Sequence, residues 1–478
     1  METPELKQIN KVVYELGREY RSDMHVPVRV FADSELLAQM RRDHSLGQLV
    51  NVSTLPGITR FALGMPDMHE GYGFPVGGVA GTLPPDSAIS PGGICFDINC
   101  GVRLLASRLR FPQAESSLLA LVHELSRNIP TGYGRHGRLS LSSEELDRVL
   151  NEGCTYVVRE RKLGVEEDLE YIESRGSLAG ADASRVSARA KQRGQDQLGT
   201  LGGGNHFLEI QRVDEIFEPK TADALGLFAG QLTVLIHTGS RGLGHQVCTD
   251  YVRLMDQALP RYKISLPDRQ LACAPLSSGE GKDYFAAMCA AANFAWSNRQ
   301  GLTHRVRESF NRILGGGAHS QLRVVYDVAH NIAKLEQFGN QTLCIHRKGA
   351  TRAFGPSSLE IPPAYRAIGQ PIFIPGSMGT ASFVLVGTDA SKDISLSSTC
   401  HGAGRALSRT SAKTRVAGHE LRKELESRGI IVRCASNAEL AEEAPVAYKD
   451  VDRVVEVVAR AGIAKKVARL VPRGVLKG

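Results

Sequence analysis

Histidines that close apolar or glycine-rich stretches are the first residues of this sequence that could carry chemistry. Five strings share this pattern, and they are LGGGNHFLE, VLIHTGSRG, YDVAHNIAK, CIHRKGA and STCHGAGR, with His206, His237, His330, His346 and His401. A single histidine of this kind is more often a structural residue than a ligand. Five of them favour a shared site, because strand ends are rigid and adjoin loops that hold several ligands in place.

A carboxylate and a thiol in the string FDINCGVR extend this set. Asp97 and Cys100 are close enough in sequence for one turn to direct both side chains at a shared point. Together with His206, His237 and His330 they offer more donors than one tetrahedral ion uses, so two metal ions become plausible. A thiolate can bridge two cations, and adjacent divalent ions can clamp a phosphate. Thiolate and imidazole donors by themselves favour zinc over manganese.

Two glycine-containing loops could bind phosphate. The string PGSMGT, 375–380, combines glycines with hydroxyl groups, which is typical either of an anion-binding backbone nest or of an ordinary strand-linking turn. The string HGAGR, 401–405, places a histidine before a turn in which Arg405 could hold phosphate bidentately. His401 could therefore be a metal ligand, a general base or a nucleophile on phosphorus. The sequence has no GxxxxGK[ST] string, which disfavours a Walker-type ATPase.

Two further strings, one basic and one that pairs a histidine with an acid, have weaker interpretations. HRKGATR, 346–352, is either a polyanion-binding stretch or a solvated loop. PDMHEG has no second histidine at helical spacing, so it is not an HExxH zinc site. Its His69 and Glu70 could instead orient the ligands of another site.

The elements expected to position these residues are strands and helices of one body. Dense glycine and proline over 64–110 predict short strands joined by loops, and NHFLEIQRV, QLTVLIHT and LRVVYDVAHN predict strands that adjoin histidines. Helical patterns occupy 284–314 and segments near 419–428 and 451–461, and an opening helix is expected within 4–19. We therefore expect an α+β fold, a single compact mixed α/β domain over 1–478 with mixed β-sheets surrounded by helices and a peripheral helical section near 112–193.

Composition limits the function classes. The 478 residues are 42% hydrophobic and 23% charged, which excludes disordered and collagen-like proteins. A net charge of +7 favours anionic partners and allows nucleic acid. The nine cysteines form no CxxC pair, which suits a reducing cytoplasm and argues against a zinc finger. Without an apolar run of about 18 to 20 residues or a signal-like block, we expect a soluble cytoplasmic protein.

Ten strings in consistent order, from about 64 to 478, carry a resemblance to a known family. They are PDMHEGYGFPVGG, DINCGVRL, LGGGNHFLE, HTGSRGLGHQ, DVAHNIAK, HRKGATRA, PGSMGT, CHGAGR, APVAYKDVD and LKG. Together they resemble the RtcB family of GTP-dependent RNA ligases. The resemblance implies an RtcB-like fold and an enzyme of tRNA splicing or RNA repair. Such an enzyme joins RNA 2′,3′-cyclic phosphate or 3′-phosphate ends to 5′-hydroxyl ends, consuming GTP with two manganese ions.

The resemblance also assigns roles to residues and partners. It implies that His401 attacks the α-phosphate of GTP, carries GMP as a phosphoramidate and passes it to RNA as an RNA-ppG end. The implied metal ligands, with Cys100 shared by both ions, are Asp97, Cys100, His206, His237 and His330. The implied phosphate and ribose contacts are Asn205, Asn331, Ser377, Gly379, Gly402, Ala403, Gly404 and Arg405. The implied guanine contacts are Glu209, Ser382, Tyr448 and Lys477. The expected partners are RNA with these ends and an archease-like activator, with the chain a monomer and no membrane involved.

Some interpretations compete with the ligase. A dinuclear metal-dependent phosphodiesterase would need the five metal donors but neither His401 nor Lys477. A non-catalytic RNA-binding protein would leave the five donors incidental. Cys95 and Cys400 flank functional positions, and we interpret both as packing residues.

Overall fold

Two mixed β-sheets form the centre of the chain in a computed structural model that describes residues 4–85, 87–132, 137, 139–317 and 321–478. Within these ranges the strands are Lys7–Asn10 (β1), Val13–Leu16 (β2), Val28–Phe31 (β3), Ile58–His69 (β4), Val76–Thr82 (β5), Ala88–Ile89 (β6), Gly101–Arg110 (β7), Phe207–Ile216 (β8), Gln231–Thr238 (β9), Ala274–Pro275 (β10), Arg323–Ala329 (β11), Asn331–Phe338 (β12), Gln341–Lys348 (β13), Ala350–Arg352 (β14), Pro371–Ile374 (β15), Ser382–Gly387 (β16), Ser398–Cys400 (β17), Ile431–Cys434 (β18) and Ala464–Lys477 (β19).

Helices pack around these sheets. In the described part of the chain the α-helices are Ser34–Met40 (α1), Ser45–Val52 (α2), Phe111–Ala114 (α3), Leu118–Asn128 (α4), Ser143–Glu152 (α5), Cys154–Arg159 (α6), Ala188–Gly194 (α7), Pro219–Ala224 (α8), Arg241–Ala258 (α9), Gly279–Leu314 (α10), Ser391–Ser395 (α11), Arg409–Arg415 (α12), Gly418–Ser427 (α13), Asn437–Glu442 (α14) and Val451–Arg460 (α15). None of these helices is both long enough and apolar enough to cross a bilayer.

The sheets mix parallel and antiparallel pairs. The first sheet has seven strands in the order β1-β2-β3-β4-β5-β13-β12, with β3 parallel to β4. The second has eight strands, β11-β7-β9-β8-β19-β16-β15 with β18 parallel to β19. Two short pairs, β6 with β10 and β14 with β17, complete the strands. The expected α+β architecture of mixed sheets surrounded by helices is thus confirmed.

One edge of the second sheet collects the ends of several strands. Because β11, β7, β9 and β8 are antiparallel to their neighbours, β7 and β8 begin where β9 and β11 end. The register pairs Gly101 with Ala329, and it pairs Phe207 with both His237 and Lys477. Residues directly before β7 and β8, directly after β11 and at the end of β19 therefore share this edge.

The long helix α10 packs against the sheets and contacts that edge through Arg299. Its Ser278 N-cap accepts a backbone N–H of the first turn, and its alanine-rich middle is buried against the sheets. The fully buried Arg299 forms an ion pair with Asp327 at 2.8 Å. The same guanidinium donates hydrogen bonds of 2.8 Å to the carbonyl oxygens of Asn99 and Thr238. Arg299 thus ties together two chain segments that flank the site described below.

The expected opening helix within 4–19 is wrong, because this segment forms the hairpin of β1 and β2. The Asn10 side chain accepts the backbone N–H of Val12 at 3.0 Å in the tight turn, and Val13 pairs with Phe31 of β3. Sheet pairing therefore overrides the weak local pattern. The helix expected at 284–314 is confirmed by α10, and those near 419–428 and 451–461 are confirmed by α13 and α15.

The segment near 112–193 carries α3 to α7 joined by short 3-10 helices, except for residues outside the described ranges. Ser142 begins α5 with a reciprocal capping box to Glu145. The strand β19, by contrast, has no counterpart among the elements expected from the sequence. It lies between β8 and β16 inside the second sheet.

Candidate active site

Five predicted metal ligands, Asp97, Cys100, His206, His237 and His330, form what we call the donor cluster. His206 Nε2 lies 2.8 Å from Asp97 Oδ2 and 3.4 Å from Cys100 Sγ. Cys100 Sγ lies 3.3 Å from His237 Nε2, which lies 3.2 Å from His330 Nε2. The donor atoms form two triads, each with all atoms within 4.8 Å of one another, and Cys100 belongs to both.

The electrostatics of the donor cluster suit cations. Burial, and then the charge of Asp97, raises the pKa of the Cys100 thiol well above its usual value. Burial, and then neighbouring imidazoles, lowers the pKa values of His237 and His330, which keeps both rings neutral with free lone pairs. Burial would raise the pKa of Asp97, but His206 holds that pKa below its usual value. Asp97 Oδ1 is buried without a hydrogen-bond partner among the described residues.

This donor set of one thiol, three imidazoles and one carboxylate therefore fits two divalent ions. A nearby cation would stabilise the Cys100 thiolate that the protein environment otherwise disfavours. It would also give the buried Asp97 Oδ1 a partner. Each triad offers three donors, which leaves coordination positions for a further ligand.

Backbone contacts hold the turn that carries Asp97 and Cys100. The His330 N–H donates to the Cys100 carbonyl oxygen at 2.9 Å, and the Asn331 side chain donates to the Asp97 carbonyl oxygen at 3.1 Å. The Asn99 N–H donates to the Asn331 carbonyl oxygen at 2.7 Å. The donors are therefore fixed by the junction of β11 and β12 rather than by a mobile loop.

His401 directly follows β17 and faces the donor cluster. Its ring centroid lies 4.8 Å from that of His330. Its Nδ1 lies 2.6 Å from Oδ2 of Asp67, a fully buried residue of β4, and its backbone N–H donates to the same oxygen at 3.1 Å. Because a carboxylate only accepts, Nδ1 carries a hydrogen, and in the neutral form of the ring the lone pair is then on Nε2. The free lone pair makes Nε2 the atom that can act as a nucleophile or a ligand.

A cavity, called here the site cavity, adjoins His401 and the donor cluster. Predicted nucleotide-contact residues that line it are Asn205, Asn331, Ser377, Gly402, Ala403, Gly404, Arg405, Tyr448 and Lys477. These nine residues bring two amides, two hydroxyls, a glycine-rich backbone turn and two cations to the cavity beside the His401 imidazole. Such a lining can bind a polyphosphate next to a nucleophile.

Comparison with known proteins identifies the family of this site. A family model described as tRNA-splicing ligase RtcB matches residues 48–478. The chain belongs to the RtcB family. Proteins named tRNA-splicing ligase RtcB from Archaeoglobus fulgidus and Thermococcus kodakarensis are each 51% identical to it over 478 residues, covering 99% of both chains. The RNA-splicing ligase RtcB of Mycobacterium tuberculosis is 50% identical over 438 residues, which are 90% of this chain and 100% of the relative.

Three of the contacts expected from the RtcB resemblance do not line the site cavity. Glu209 and Ser382 are buried, and the Gln211 side-chain amide donates to Glu209 Oε2 at 2.7 Å and to Ser382 Oγ at 3.0 Å. Burial raises the pKa of Glu209 to about 8, although Gln211 and Lys477 oppose this shift. Gly379 also does not line the site cavity. Its carbonyl oxygen accepts from Arg428 at 2.5 Å, and it lines a separate surface concavity.

Sequence reasoning missed several residues of this RtcB-family site. Asp67 lies inside the string PDMHEG, in which only His69 and Glu70 were predicted to have a role. Phe207 and Glu443 also line the site cavity. Phe207 directly follows His206, and its type and position are typical of an ordinary strand residue. Glu443 ends an acidic run that is typical of an exposed helix, so the sequence carries no signal for it.

The two cysteines interpreted as packing residues differ from each other. Cys400 is fully buried in β17, beside His401. Cys95 is only half-buried, lines the site cavity and has a φ of 104°, a conformation that favours glycine. The packing interpretation therefore fits Cys400 but not Cys95.

Proposed function

We propose that this chain is an RNA ligase of tRNA splicing or RNA repair that joins 2′,3′-cyclic phosphate or 3′-phosphate RNA ends to 5′-hydroxyl ends, using GTP. The observation that carries the proposal is the arrangement of His401, with its free Nε2, beside two donor triads that share Cys100. The names of the RtcB relatives, which are tRNA-splicing and RNA-splicing ligases, support it.

The first step is transfer of GMP to the protein. Nε2 of His401 attacks the α-phosphorus of GTP, the new N–P bond forms as the bond to the β-phosphate oxygen breaks, and pyrophosphate leaves. The imidazole becomes positively charged as the N–P bond forms. Asp67, which accepts the Nδ1 hydrogen, stabilises that charge and holds the ring in place.

The remaining steps act on RNA. Water opens a cyclic phosphate by breaking the bond from phosphorus to the 2′-oxygen, which leaves a 3′-phosphate. An oxygen of this phosphate attacks the phosphorus of the histidine-bound GMP and displaces Nε2 of His401, giving an RNA-ppG end. The 5′-hydroxyl of the second RNA then attacks the 3′-phosphorus, its proton passes to solvent, and GMP leaves as the phosphodiester forms.

Two manganese ions belong to the proposal. Cys100, His237 and His330 would hold one ion, and Asp97, Cys100 and His206 would hold the other. When bound, the ions supply positive charge that offsets the charge building on an attacked phosphate. Donor softness favours zinc, whereas RtcB family membership favours manganese. Metal-free protein reloaded with either ion should bind two ions per chain by elemental mass spectrometry, and manganese should support guanylylation better than zinc.

The nucleotide would lie along the site cavity from phosphate to base. Its phosphates and ribose would contact Asn205, Asn331, Ser377 and the turn 402–405, all of which line the cavity. Its guanine would contact Tyr448 and Lys477, which line the cavity, and also Glu209 and Ser382, which are buried outside the lining. Gly379, which lines a separate concavity, enters this proposal only as part of the loop that presents Ser377.

Covalent labelling tests the proposal. Incubation with α-labelled GTP and manganese should leave a label on the denatured protein, and His401→Ala should abolish it. His245→Ala is the matched control, since His245 is an exposed imidazole on α9 and should keep the label. RNA with a 2′,3′-cyclic phosphate should then be joined to a 5′-hydroxyl RNA.

Other outcomes would assign a different function. RNA cleavage that needs the donor cluster but no label would indicate the dinuclear phosphodiesterase. RNA binding that survives chelation, without label or ligation, would indicate a binding protein.

The proposal includes a monomeric, cytoplasmic chain that folds as one domain over 1–478 and works with an archease-like activator. Light scattering of the purified chain should give a mass near the 51.8 kDa of one copy. Multiple-turnover ligation, compared with and without an archease-like protein, tests the activator.

A further inference from the structure

Glu443 is a buried carboxylate at the edge of the site cavity that contacts four side chains of its lining. It is 2% exposed and directly follows α14. Its Oε1 accepts from Arg405 Nη1 at 3.1 Å and from Arg409 Nε at 3.4 Å. Its Oε2 accepts the Tyr448 hydroxyl and lies 3.8 Å from Lys477 Nζ. One carboxylate thus joins three cations and a phenol, all of which line the cavity.

The contacts of Glu443 engage both of its carboxylate oxygens. An ionised carboxylate has two oxygens with about four lone-pair positions. Arg405 and Arg409 share Oε1, and Tyr448 and Lys477 share Oε2. A nucleotide in the site cavity would therefore meet a carboxylate that is already engaged by four other side chains of the cavity lining.

These contacts fix the direction of each group. The Tyr448 hydroxyl donates to Glu443 and its oxygen accepts from Arg405 Nη1 at 3.4 Å, so one oxygen lone pair remains to accept from a ligand. Lys477 is 3% exposed and buried next to the Phe207 ring, and burial lowers its pKa while Glu443 opposes that shift. Without Glu443, Lys477 would lose its nearest opposite charge and part of its tendency to stay protonated.

We propose that Glu443 is a positioning residue that sets nucleotide specificity by holding Tyr448 and Lys477 in the arrangement that selects guanine. This inference rests on the proposed function, since it assumes that the site cavity binds GTP. Glu443 acts through the two side chains that contact the base.

Glu443→Gln and the matched control Glu442→Gln test the inference. Glu442 precedes Glu443, but its carboxylate pairs with Lys413 at 2.8 Å and with Arg409 at 3.9 Å, both at the protein surface. In the guanylylation assay, Glu443→Gln should raise the KM for GTP at least about 30-fold, because a buried charged group loses its partner. The maximal rate should fall less than about threefold, and the preference for GTP over ATP should fall about tenfold. Glu442→Gln should match the wild type within about twofold in all three.

A double-mutant cycle separates positioning from a general structural role. If Glu443 acts through Tyr448, Glu443→Gln with Tyr448→Phe should raise the KM by clearly less than the product of the single effects. Effects that multiply would overturn the inference. So would a Glu443→Gln protein that loses bound metal and maximal rate while keeping its KM and its GTP preference.

Two outcomes remain distinguishable from these. If Glu443→Gln does not fold, Tyr448→Phe and Lys477→Met still report, and an unchanged GTP preference in both would overturn the inference. Absence of any label on the wild-type protein would instead refute the proposed function.

Discussion

The pair formed by Asp67 and His401 gives the sharpest quantitative prediction. Asp67 Oδ2 accepts both the Nδ1 hydrogen and the backbone N–H of His401, while its Oδ1 has no hydrogen-bond partner among the described residues. An asparagine can therefore keep its oxygen toward His401 and place its NH₂ group at the Oδ1 position. Asp67→Asn then removes the negative charge but keeps the acceptor toward His401, whereas Asp67→Ala removes both.

The expected effects follow from the geometry of this contact. At 2.6 Å, with Asp67 fully buried and His401 14% exposed, the hydrogen bond is charge-assisted and contributes about 1.5–3 kcal/mol. Loss of the charge alone should slow GMP transfer to His401 about 10- to 100-fold. Loss of the acceptor also frees the ring to rotate and to change tautomer, so Asp67→Ala should slow transfer about 10³-fold or more.

Single-turnover labelling at saturating α-labelled GTP measures this rate constant directly. Asp67 does not line the site cavity, so the KM for GTP should change less than about threefold in both variants. Bound metal should stay at two ions per chain. The reasoning is refuted if Asp67→Ala is labelled within about threefold of the wild-type rate, or if its defect lies in KM.

Three further predictions test the donor cluster, the base contact and the scaffold. Cys100→Ser should lower bound metal below two ions per chain by mass spectrometry and abolish labelling, and two retained ions would contradict the sharing of Cys100. Burial raises the pKa of Glu209 to about 8. If its carboxylate binds guanine, the KM for GTP should fall about tenfold between about pH 6 and 7 and level off above about pH 8. Glu209→Gln should remove this pH dependence. Burial opposes ionisation of Glu173, but Lys334 and Arg352 lower its pKa to about 2, below the usual 4.5. Glu173→Gln should therefore lower the free energy of unfolding, measured in urea at neutral pH, by about 3 kcal/mol. This stabilisation is present above about pH 4.5 and is lost as the pH falls toward about 2. If Glu173→Gln lowered the free energy of unfolding equally at both ends of that range, the stabilising ion pair of Glu173 would be contradicted.

The sequence predicts elements where local pattern and tertiary role agree. Alternation in NHFLEIQRV and the apolar run of QLTVLIHT predict β8 and β9, and alanine-rich composition predicts α10. The strand β19 escaped prediction because charged residues and the pair Pro472 and Gly474 interrupt its pattern. The register shifts between these two residues, so a bulge accommodates the proline while pairing on both sides keeps the strand in the sheet.

The candidate site was predictable where residue type alone carries chemistry. An imidazole after an apolar strand and a thiol beside a carboxylate in a turn are potential ligands, and His237, His330 and Cys100 were predicted in these ways. Asp67 and Glu443 could not be found, because their roles depend on burial beside a partner. Asp67 and His401 are 334 positions apart in sequence, and nothing in either local string indicates the other.

Glycines around the site allow the backbone segments that carry the predicted and the missed residues to approach each other closely. A Cβ on Gly239 would lie 2.4 Å from Asp97 Oδ1, so only glycine lets the end of β9 pass the donor turn. Gly404 has a φ of 76°, and a Cβ there would lie 2.2 Å from the Asp67 carbonyl oxygen. Side chains from two sheets can converge on one phosphate-sized space only if the backbones between them approach closely. The glycine density that first indicated a phosphate-binding loop is therefore also the condition that brings Asp67 to His401.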